Sequence, residues 1–251
     1  MKLSSDQEFS RRQLLRTGLA ASAAAFLAGD SAAASTSHDA AFPAGTVASP
    51  SPDSAFASLA QSTFNPNTAL AELMAGNKRF TSGRLTHHEQ DLAILKQHTE
   101  QKQEPFAAVL SCADSRVPVE LIFDQSIGHI FVTRVAGNVI TPEIMASLEY
   151  GALVLGAKVI LVMGHLNCGA VKASIKGAEV PGQISSLFPH IQPAIDQAGT
   201  DVEAVTKANA RIQGALLQHS STVISGLVKS GSVKVVPAYY DLGSGAVTIL
   251  E

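Results

Sequence analysis

Between about residue 64 and residue 251, short apolar runs alternate with longer stretches whose apolar residues recur at helical spacing. The runs at 106–110 and 159–163 are wholly apolar, and a third strand is predicted at 129–135. Apolar runs of this length are typical of strands that are buried on both faces. Strands that alternate with helices predict an α/β fold, with a mostly parallel central β-sheet flanked by helices.

The same pattern sets the remaining elements. Asn65 and Pro66 precede an apolar stripe of Leu70, Leu73, Met74 and Phe80, which predicts an N-terminal helical arm. Further helices are predicted at 87–98, 119–123, 141–155, 168–176, 184–197 and 202–229, the last open to a break near Ser220. Strands at 233–240 and 246–250 are joined by a turn at 243–245.

Residues 1–34 have the pattern of a twin-arginine signal peptide. Arg11 and Arg12 precede an apolar run at 17–29, and small residues at 31–34 suit signal-peptidase cleavage. The alternative is an N-terminal membrane anchor, but a stable membrane span needs roughly 20 apolar residues. We therefore expect export by the Tat machinery to the bacterial periplasm or beyond. Residues 35–63, rich in Ala, Ser, Pro and Thr, predict a flexible linker before a folded domain at 64–251.

Composition narrows the class of protein. The chain is 46% hydrophobic and 16% charged, which is typical of a globular protein. A net charge of -3 and the absence of Trp argue against a nucleic-acid partner. Two cysteines do not make a disulfide scaffold.

Both cysteines follow predicted strands. Cys112 comes after the first apolar run, and His165 and Cys168 come after the run at 159–163. Ligands of parallel sheets bind beyond the carboxyl ends of the strands. Two thiols and an imidazole suit Zn²⁺, and three protein ligands with a fourth position open describe a catalytic zinc. The sequence therefore predicts one zinc ion per subunit at this edge.

Asp114 and Arg116 complete the chemistry predicted for the site. Two thiolates neutralise Zn²⁺, so its bound water should ionise less easily than one on a zinc held by imidazoles. Asp114 is close enough in sequence to Cys112 to orient a zinc-bound hydroxide, and Arg116 can keep it ionised. Asp114 could instead become a fourth metal ligand and close the site.

Each feature also has a structural alternative. Cys112 and Cys168 could form a disulfide or pack as two small buried thiols. Asp114 and Arg116 could be an ordinary ion pair. The remaining histidines are expected at the surface or in packing rather than as metal ligands.

Two segments carry a family resemblance. The segments Cys112–Pro118 and Gly164–Gly169 resemble the two signatures of the β-class carbonic anhydrases, and the likeness extends over about 70–250. It implies hydration of CO₂ to bicarbonate, with zinc on Cys112, His165 and Cys168, and Asp114–Arg116 as the catalytic dyad. Residues 69–80 resemble the family's arm, which wraps a partner subunit and implies a homodimer or higher homo-oligomer.

The resemblance also assigns substrate contacts. It places Gln103 as a residue that binds substrate across the dimer interface. It places the CO₂ pocket and its border at Phe131, Ala136, Gly137, Asn138 and Tyr150; plain core packing is the alternative for these residues. Two other functions stay open: hydrolysis of carbonyl sulfide or carbon disulfide on the same scaffold, and zinc binding without catalysis.

Overall fold

The computed structural model describes residues 64–86, 102–177 and 179–251. The predicted signal peptide, the linker and the helix predicted at 87–98 lie outside these residues. The described strands are β1 Ala107–Ser111, β2 Ile130–Arg134, β3 Val159–His165, β4 Lys234–Tyr240 and β5 Val247–Ile249. They form one sheet in the order β2-β1-β3-β4-β5, in which β5 is antiparallel to β4 and the other pairs are parallel. The mostly parallel α/β fold is therefore confirmed.

The described helices follow the predicted pattern with local departures. They are α1 Pro66–Thr81, α2 Val119–Ile122, α3 Pro142–Glu149, α4 Gly169–Lys176, α5 Phe188–Ala198, α6 Val202–Ser220 and α7 Thr222–Lys229, with 3₁₀ turns at Ala136–Asn138 and Ile184–Leu187. The predicted break occurs at Ser221, whose side chain caps α7 by accepting from the Ile224 amide. The helix predicted over 141–155 continues past α3 as a π-helical turn, Tyr150–Val154. Within the described residues, none of the helices has the length and hydrophobicity needed to cross a bilayer.

The two faces of the sheet pack on different helices. Along β3, which is buried throughout, Leu161 points to the face covered by α1 and α2. Its neighbours Ile160 and Val162 point to the face covered by α3, α6 and α7. Successive side chains of a strand alternate between the two faces of the sheet. Because helices cover both faces at β3, every position along that strand is apolar or buried.

Helix α1 is fixed to its own sheet. Leu73 is fully buried in the core. The side-chain amide of Asn77 donates to the carbonyls of Ile122 (3.2 Å) and Gly245 (2.9 Å), and its oxygen accepts from the Val247 amide (2.9 Å). The predicted helical arm is thus present. That it also wraps a partner subunit stays a prediction.

Candidate metal centre

The site lies where β1 and β3, neighbours in the sheet, reach their carboxyl ends. Cys112 directly follows β1, and His165 is the last residue of β3. Asn167 then adopts a left-handed φ of 58°, and Cys168 takes the position before the first turn of α4. Parallel pairing therefore brings two segments that lie far apart in sequence to the same edge.

The three predicted zinc ligands converge. One ligand atom each of Cys112, His165 and Cys168 lies within 4.8 Å of the other two, and all three residues are buried. The two sulfur atoms are 4.0 Å apart, about twice the length of a disulfide bond, and both cysteines are free. The disulfide alternative is therefore wrong for this structure.

The imidazole of His165 is oriented as a metal ligand. Its Nδ1 lies 2.9 Å from the carbonyl oxygen of Leu166, so Nδ1 carries the proton and donates it. That leaves Nε2 as a bare acceptor, and Nε2 is buried without a hydrogen-bond partner among the described residues. A buried acceptor left unpaired costs about 1–3 kcal/mol. A metal ion at the two sulfurs would satisfy it, so the residues present fit zinc.

The two neighbouring thiols shift each other's pKa values in opposite directions. The hydrogen bond with Cys168 lowers the pKa of Cys112, with burial opposing and the Gly137 amide assisting. The pKa of Cys168 is raised, first by the neighbouring Cys112 and then by burial. Because a divalent cation compensates both charges, it would allow both residues to bind as thiolates.

Asp114 and Arg116 form a bidentate pair beside the three ligands. Arg116 Nε donates to Asp114 Oδ1 (2.9 Å) and Nη2 donates to Oδ2 (2.8 Å). These hydrogen bonds hold the pKa of the Asp114 carboxyl well below its usual range. Asp114 Oδ2 also lies 3.9 Å from His165 Nε2. The carboxylate is therefore an acceptor placed next to the metal-binding atoms.

A 3₁₀ turn after β2 closes one side of the site. Its Gly137 amide donates to Cys112 Sγ at 3.3 Å. Asn138, which is fully buried with a left-handed φ of 45°, has a side-chain amide with no partner among the described residues. Ala136 is half-buried. The structure thus places this turn at the metal ligands, and a substrate role for it stays a prediction.

The other predicted pocket residues are more open. The Phe131 and Tyr150 rings are 6.2 Å apart between centroids, but Tyr150 is 47% exposed. Gln103 is exposed and precedes β1, whereas Cys112 follows it. A five-residue strand spans about 17 Å, so Gln103 does not reach the metal ligands of its own chain. Its predicted contact across a dimer interface stays a prediction.

Three residues that hold the site were missed by the sequence analysis. Arg134, at the end of β2, donates from Nε to the Cys112 carbonyl (3.0 Å) and from Nη2 to the Asp114 carbonyl (2.5 Å). Asn209 and Gln213 are buried on α6 and hydrogen-bond to the chain around Gly137. Two amides spaced i, i+4 on the apolar face of a predicted helix were a usable signal, because buried amides need partners.

The fold and site define an α/β protein with a Cys-His-Cys group that could hold a metal ion at its strand ends. Comparison with known proteins identifies its family. A family model described as carbonic anhydrase matches residues 107–247. The carbonic anhydrase of Mycolicibacterium smegmatis is 36% identical over 185 residues, covering 70% of this chain and 89% of the relative. Carbonic anhydrase 2 of Mycobacterium tuberculosis is 33% identical over 187 residues, covering 71% and 90%.

Solved structures agree with this placement. The β-carbonic anhydrase CcaA superposes with a TM-score of 0.59 at 25% identity, covering 73% of this chain and 88% of that one. A Coccomyxa β-carbonic anhydrase in complex with acetazolamide gives 0.56 at 26% identity, covering 72% and 86%. The chain belongs to the β-class carbonic anhydrase family.

Proposed function

We propose that this protein is a zinc carbonic anhydrase, which interconverts CO₂ and water with bicarbonate and a proton. The observation that carries the proposal is the convergence of Cys112, His165 and Cys168 beside an ionised Asp114. A purely structural zinc site has a closed set of four protein ligands. Here three donors converge, and the nearest carboxylate is already engaged by Arg116.

The metal and the protein have separate tasks. One zinc ion per subunit would be held by Cys112, His165 and Cys168, and would supply the acidity that activates a water for attack on CO₂. Asp114 would accept a hydrogen bond from that water and so orient it toward CO₂. Arg116 keeps Asp114 ionised, which makes it an acceptor and never a competing donor.

Asp114 orients the nucleophile rather than binding the metal. Both of its oxygens accept hydrogen bonds from Arg116. To become a fourth zinc ligand it would have to give up at least part of a bidentate, charge-assisted pair. Binding of Asp114 to zinc would therefore be disfavoured as long as the pair with Arg116 is intact.

We further infer that the active assembly is at least a homodimer. Gln103 is exposed and far from the metal ligands of its own chain, as expected of a residue that acts on a partner's site. The exposed ring of Tyr150 beside Phe131 fits a CO₂ pocket that a second subunit completes. Cross-linking and analytical ultracentrifugation test this, and a monomer with full activity would contradict it.

From the sequence of residues 1–34 we also propose export by the Tat route to the periplasm or beyond it. Because this route carries folded proteins, both thiols could bind zinc before the chain meets an oxidising compartment. Replacing Arg11 and Arg12 together with Lys should leave the protein in the cytoplasmic fraction. Export of that variant at the wild-type level would contradict the proposal.

The decisive test is stopped-flow CO₂ hydration by purified residues 64–251, with zinc content measured on the same sample. Asp114→Ala should retain zinc and lose about 10²–10³-fold in rate, because one charge-orienting group is removed. The matched control is Asp196→Ala, which removes an exposed carboxylate of α5. An unchanged rate in zinc-bound Asp114→Ala would contradict the mechanism.

The same assay separates the other candidate functions. CO₂ hydration no faster than in a metal-free control, together with brisk hydrolysis of carbonyl sulfide, would assign the sulfur substrate instead. Bound zinc with neither activity would assign a binding protein.

A further inference from the structure

A chain of buried hydrogen bonds leads from helix α6 to one of the metal ligands. Asn209 is fully buried, and its Nδ2 donates to the carbonyl of Gly137 at 2.8 Å. The amide of the same glycine donates to Cys112 Sγ at 3.3 Å. Gly137 therefore connects the side chain of Asn209 to the sulfur of Cys112.

The orientation of Asn209 is itself fixed by Gln213, one helical turn later. Gln213 Nε2 donates to Asn209 Oδ1 (3.2 Å) and to the His190 carbonyl (2.9 Å). Its Oε1 accepts from the Ile140 amide at 2.8 Å. Because the oxygen of Asn209 faces Gln213, its nitrogen has to face Gly137. Swapping the two ends of the Asn209 amide would break both contacts.

The backbone at Gly137 leaves little room for a different arrangement. Its φ of 77° lies in the left-handed region that favours glycine. A Cβ there would lie 3.0 Å from Ile191 Cδ1 and 3.2 Å from Ala170 Cβ. Helices α4 and α5 therefore confine the residue from one side while Asn209 holds its carbonyl from another.

We propose that Asn209 is a positioning residue for the metal centre, which acts through Gly137 to keep an N–H donor on the Cys112 sulfur. The inference rests on the proposed function, in which two thiolates weaken zinc as a Lewis acid. A hydrogen bond to a ligating sulfur withdraws electron density from it, and such outer contacts tune metal sites. Asn209 thus offsets part of the electron donation of Cys112 and helps the site keep its acidity.

The first test compares Asn209→Leu with Thr206→Val. Both changes remove a buried polar group of α6 and nearly keep its shape, but the Thr206 hydroxyl donates to the Val202 carbonyl of its own helix. In the Co²⁺-loaded proteins, Asn209→Leu should shift the sulfur-to-cobalt charge-transfer band to longer wavelength. It should also weaken metal binding by about 10–100-fold in chelator competition, because Gly137 would no longer hold the Cys112 sulfur in position. Thr206→Val should match the wild type in both.

An unshifted band with wild-type metal affinity in folded Asn209→Leu would overturn the proposal, because a merely structural contact would leave the sulfur electronically unchanged. Neither readout requires turnover. If the wild type proves unable to hydrate CO₂, the proposed function fails while the positioning role of Asn209 is still decided by these spectra.

A second measurement needs no variant and stands if Asn209→Leu does not fold. In the wild type loaded with ¹¹³Cd and labelled with ¹⁵N, the Gly137 amide proton should show scalar coupling to cadmium through the Cys112 sulfur. A resolved Gly137 amide signal without that coupling would overturn the proposal, because no hydrogen bond would then reach the ligand.

Discussion

The two turns that meet at the metal centre are held in place by different means. The His165 turn, residues 164–169, extends a central strand that is buried along its whole length. His165 is paired in register with Tyr240 on β4, and the Leu166 amide donates to the Tyr240 carbonyl at 2.9 Å. The Cys112 turn, residues 112–116, leaves its strand at once and exposes most of its residues. It is held by hydrogen bonds from Arg134, at the end of β2, and from Gly137, in the 3₁₀ turn that follows.

The His165 turn and the Cys112 turn therefore contribute to the candidate site in different ways. Regular strand pairing fixes His165, and Cys168 follows it three residues later in a buried position before α4. Long-range hydrogen bonds hold the turn of Cys112, Asp114 and Arg116, which is more exposed to solvent. We therefore expect changes in the His165 turn to act through metal binding, and changes around the Cys112 turn to act through reactivity and local stability.

The largest effect is expected from a ligand of the His165 turn. Cys168→Ser replaces a buried thiolate with a hydroxyl, a poor zinc ligand. Zinc content by mass spectrometry should fall well below one per chain, and CO₂ hydration should drop to the metal-free rate. Ser174→Ala, a buried polar change in the helix α4 that follows Cys168, should keep both at the wild-type level. Stoichiometric zinc in Cys168→Ser would remove that residue from the ligand set.

The next effect is expected beside the Cys112 turn. Gly137→Ala forces a left-handed φ on alanine and brings its Cβ to 3.0 Å from Ile191. The free energy of unfolding should fall by about 2 kcal/mol in chemical denaturation of the metal-free protein. In Gly169→Ala, at the start of α4, the new Cβ meets no atom within 4 Å among the described residues outside its own helix, and the substitution should change stability by less than about 0.5 kcal/mol. Equal stabilities of the two variants would show that the 3₁₀ turn is not constrained.

A smaller effect is expected from the exposed contact to the same turn. Arg134→Leu removes two hydrogen bonds to the carbonyls of Cys112 and Asp114. CO₂ hydration should fall by about 10-fold with zinc retained, and stability should fall by about 1 kcal/mol because the guanidinium is solvated. Arg211→Leu removes an arginine that donates to the Glu251 carbonyl and should leave the rate unchanged. A matching loss in both variants would point to net charge instead of position.

The smallest effect is expected on the side of the His165 turn. Tyr239 pairs with Gly164, and its buried hydroxyl has no partner among the described residues. Tyr239→Phe should therefore change stability at pH 7 by less than about 0.5 kcal/mol. Loss of a full kcal/mol or more would reveal a hydrogen bond to that hydroxyl and weaken the contrast between the turns.

Tyr239→Phe should also change how stability depends on pH. Burial, with the carboxylates of Glu203, Asp241 and Asp201, raises the pKa of Tyr239 to about 12. The unfolded chain ionises this group near pH 10, so its contribution to stability is fully present below pH 10 and is lost as the pH rises toward 12. Denaturation at pH 8 and pH 11 should show a smaller alkaline loss for Tyr239→Phe than for the wild type. An identical loss would assign the alkaline sensitivity to other groups.

Much of the fold was predictable because local pattern and tertiary role agree. Apolar runs marked the central strands β1 and β3, and the break between α6 and α7 falls at a residue suited to capping. The π-helical end of the helix after Thr141 was not predicted, because it keeps the apolar pattern of an α-helix. Residues 87–98, predicted as a helix, lie outside the described part of the chain.

The residues of the candidate site also divide into some that the sequence predicts and some that it does not. Cys112, His165 and Cys168 were predictable because thiols and an imidazole after apolar strands point to few other chemistries. Arg134 was not, because its hydrogen bonds go to backbone carbonyls, and the pattern of α6 marked Asn209 only as a buried amide without indicating its partner. A backbone carbonyl or amide has no sequence signature, so the partner that binds it cannot be identified from residue types alone.

The sequence by itself therefore determined the elements, the donor atoms and the class of chemistry. Side-chain type fixes how an atom binds metal, and periodicity fixes which strands are buried. Only the tertiary structure decided that the Cys112 sulfur receives an amide proton from Gly137, and that Asn209 on a helix about seventy residues later holds that glycine. Directional hydrogen bonds depend on ångström-scale placement of distant segments, which packing of the whole sheet and its helices sets.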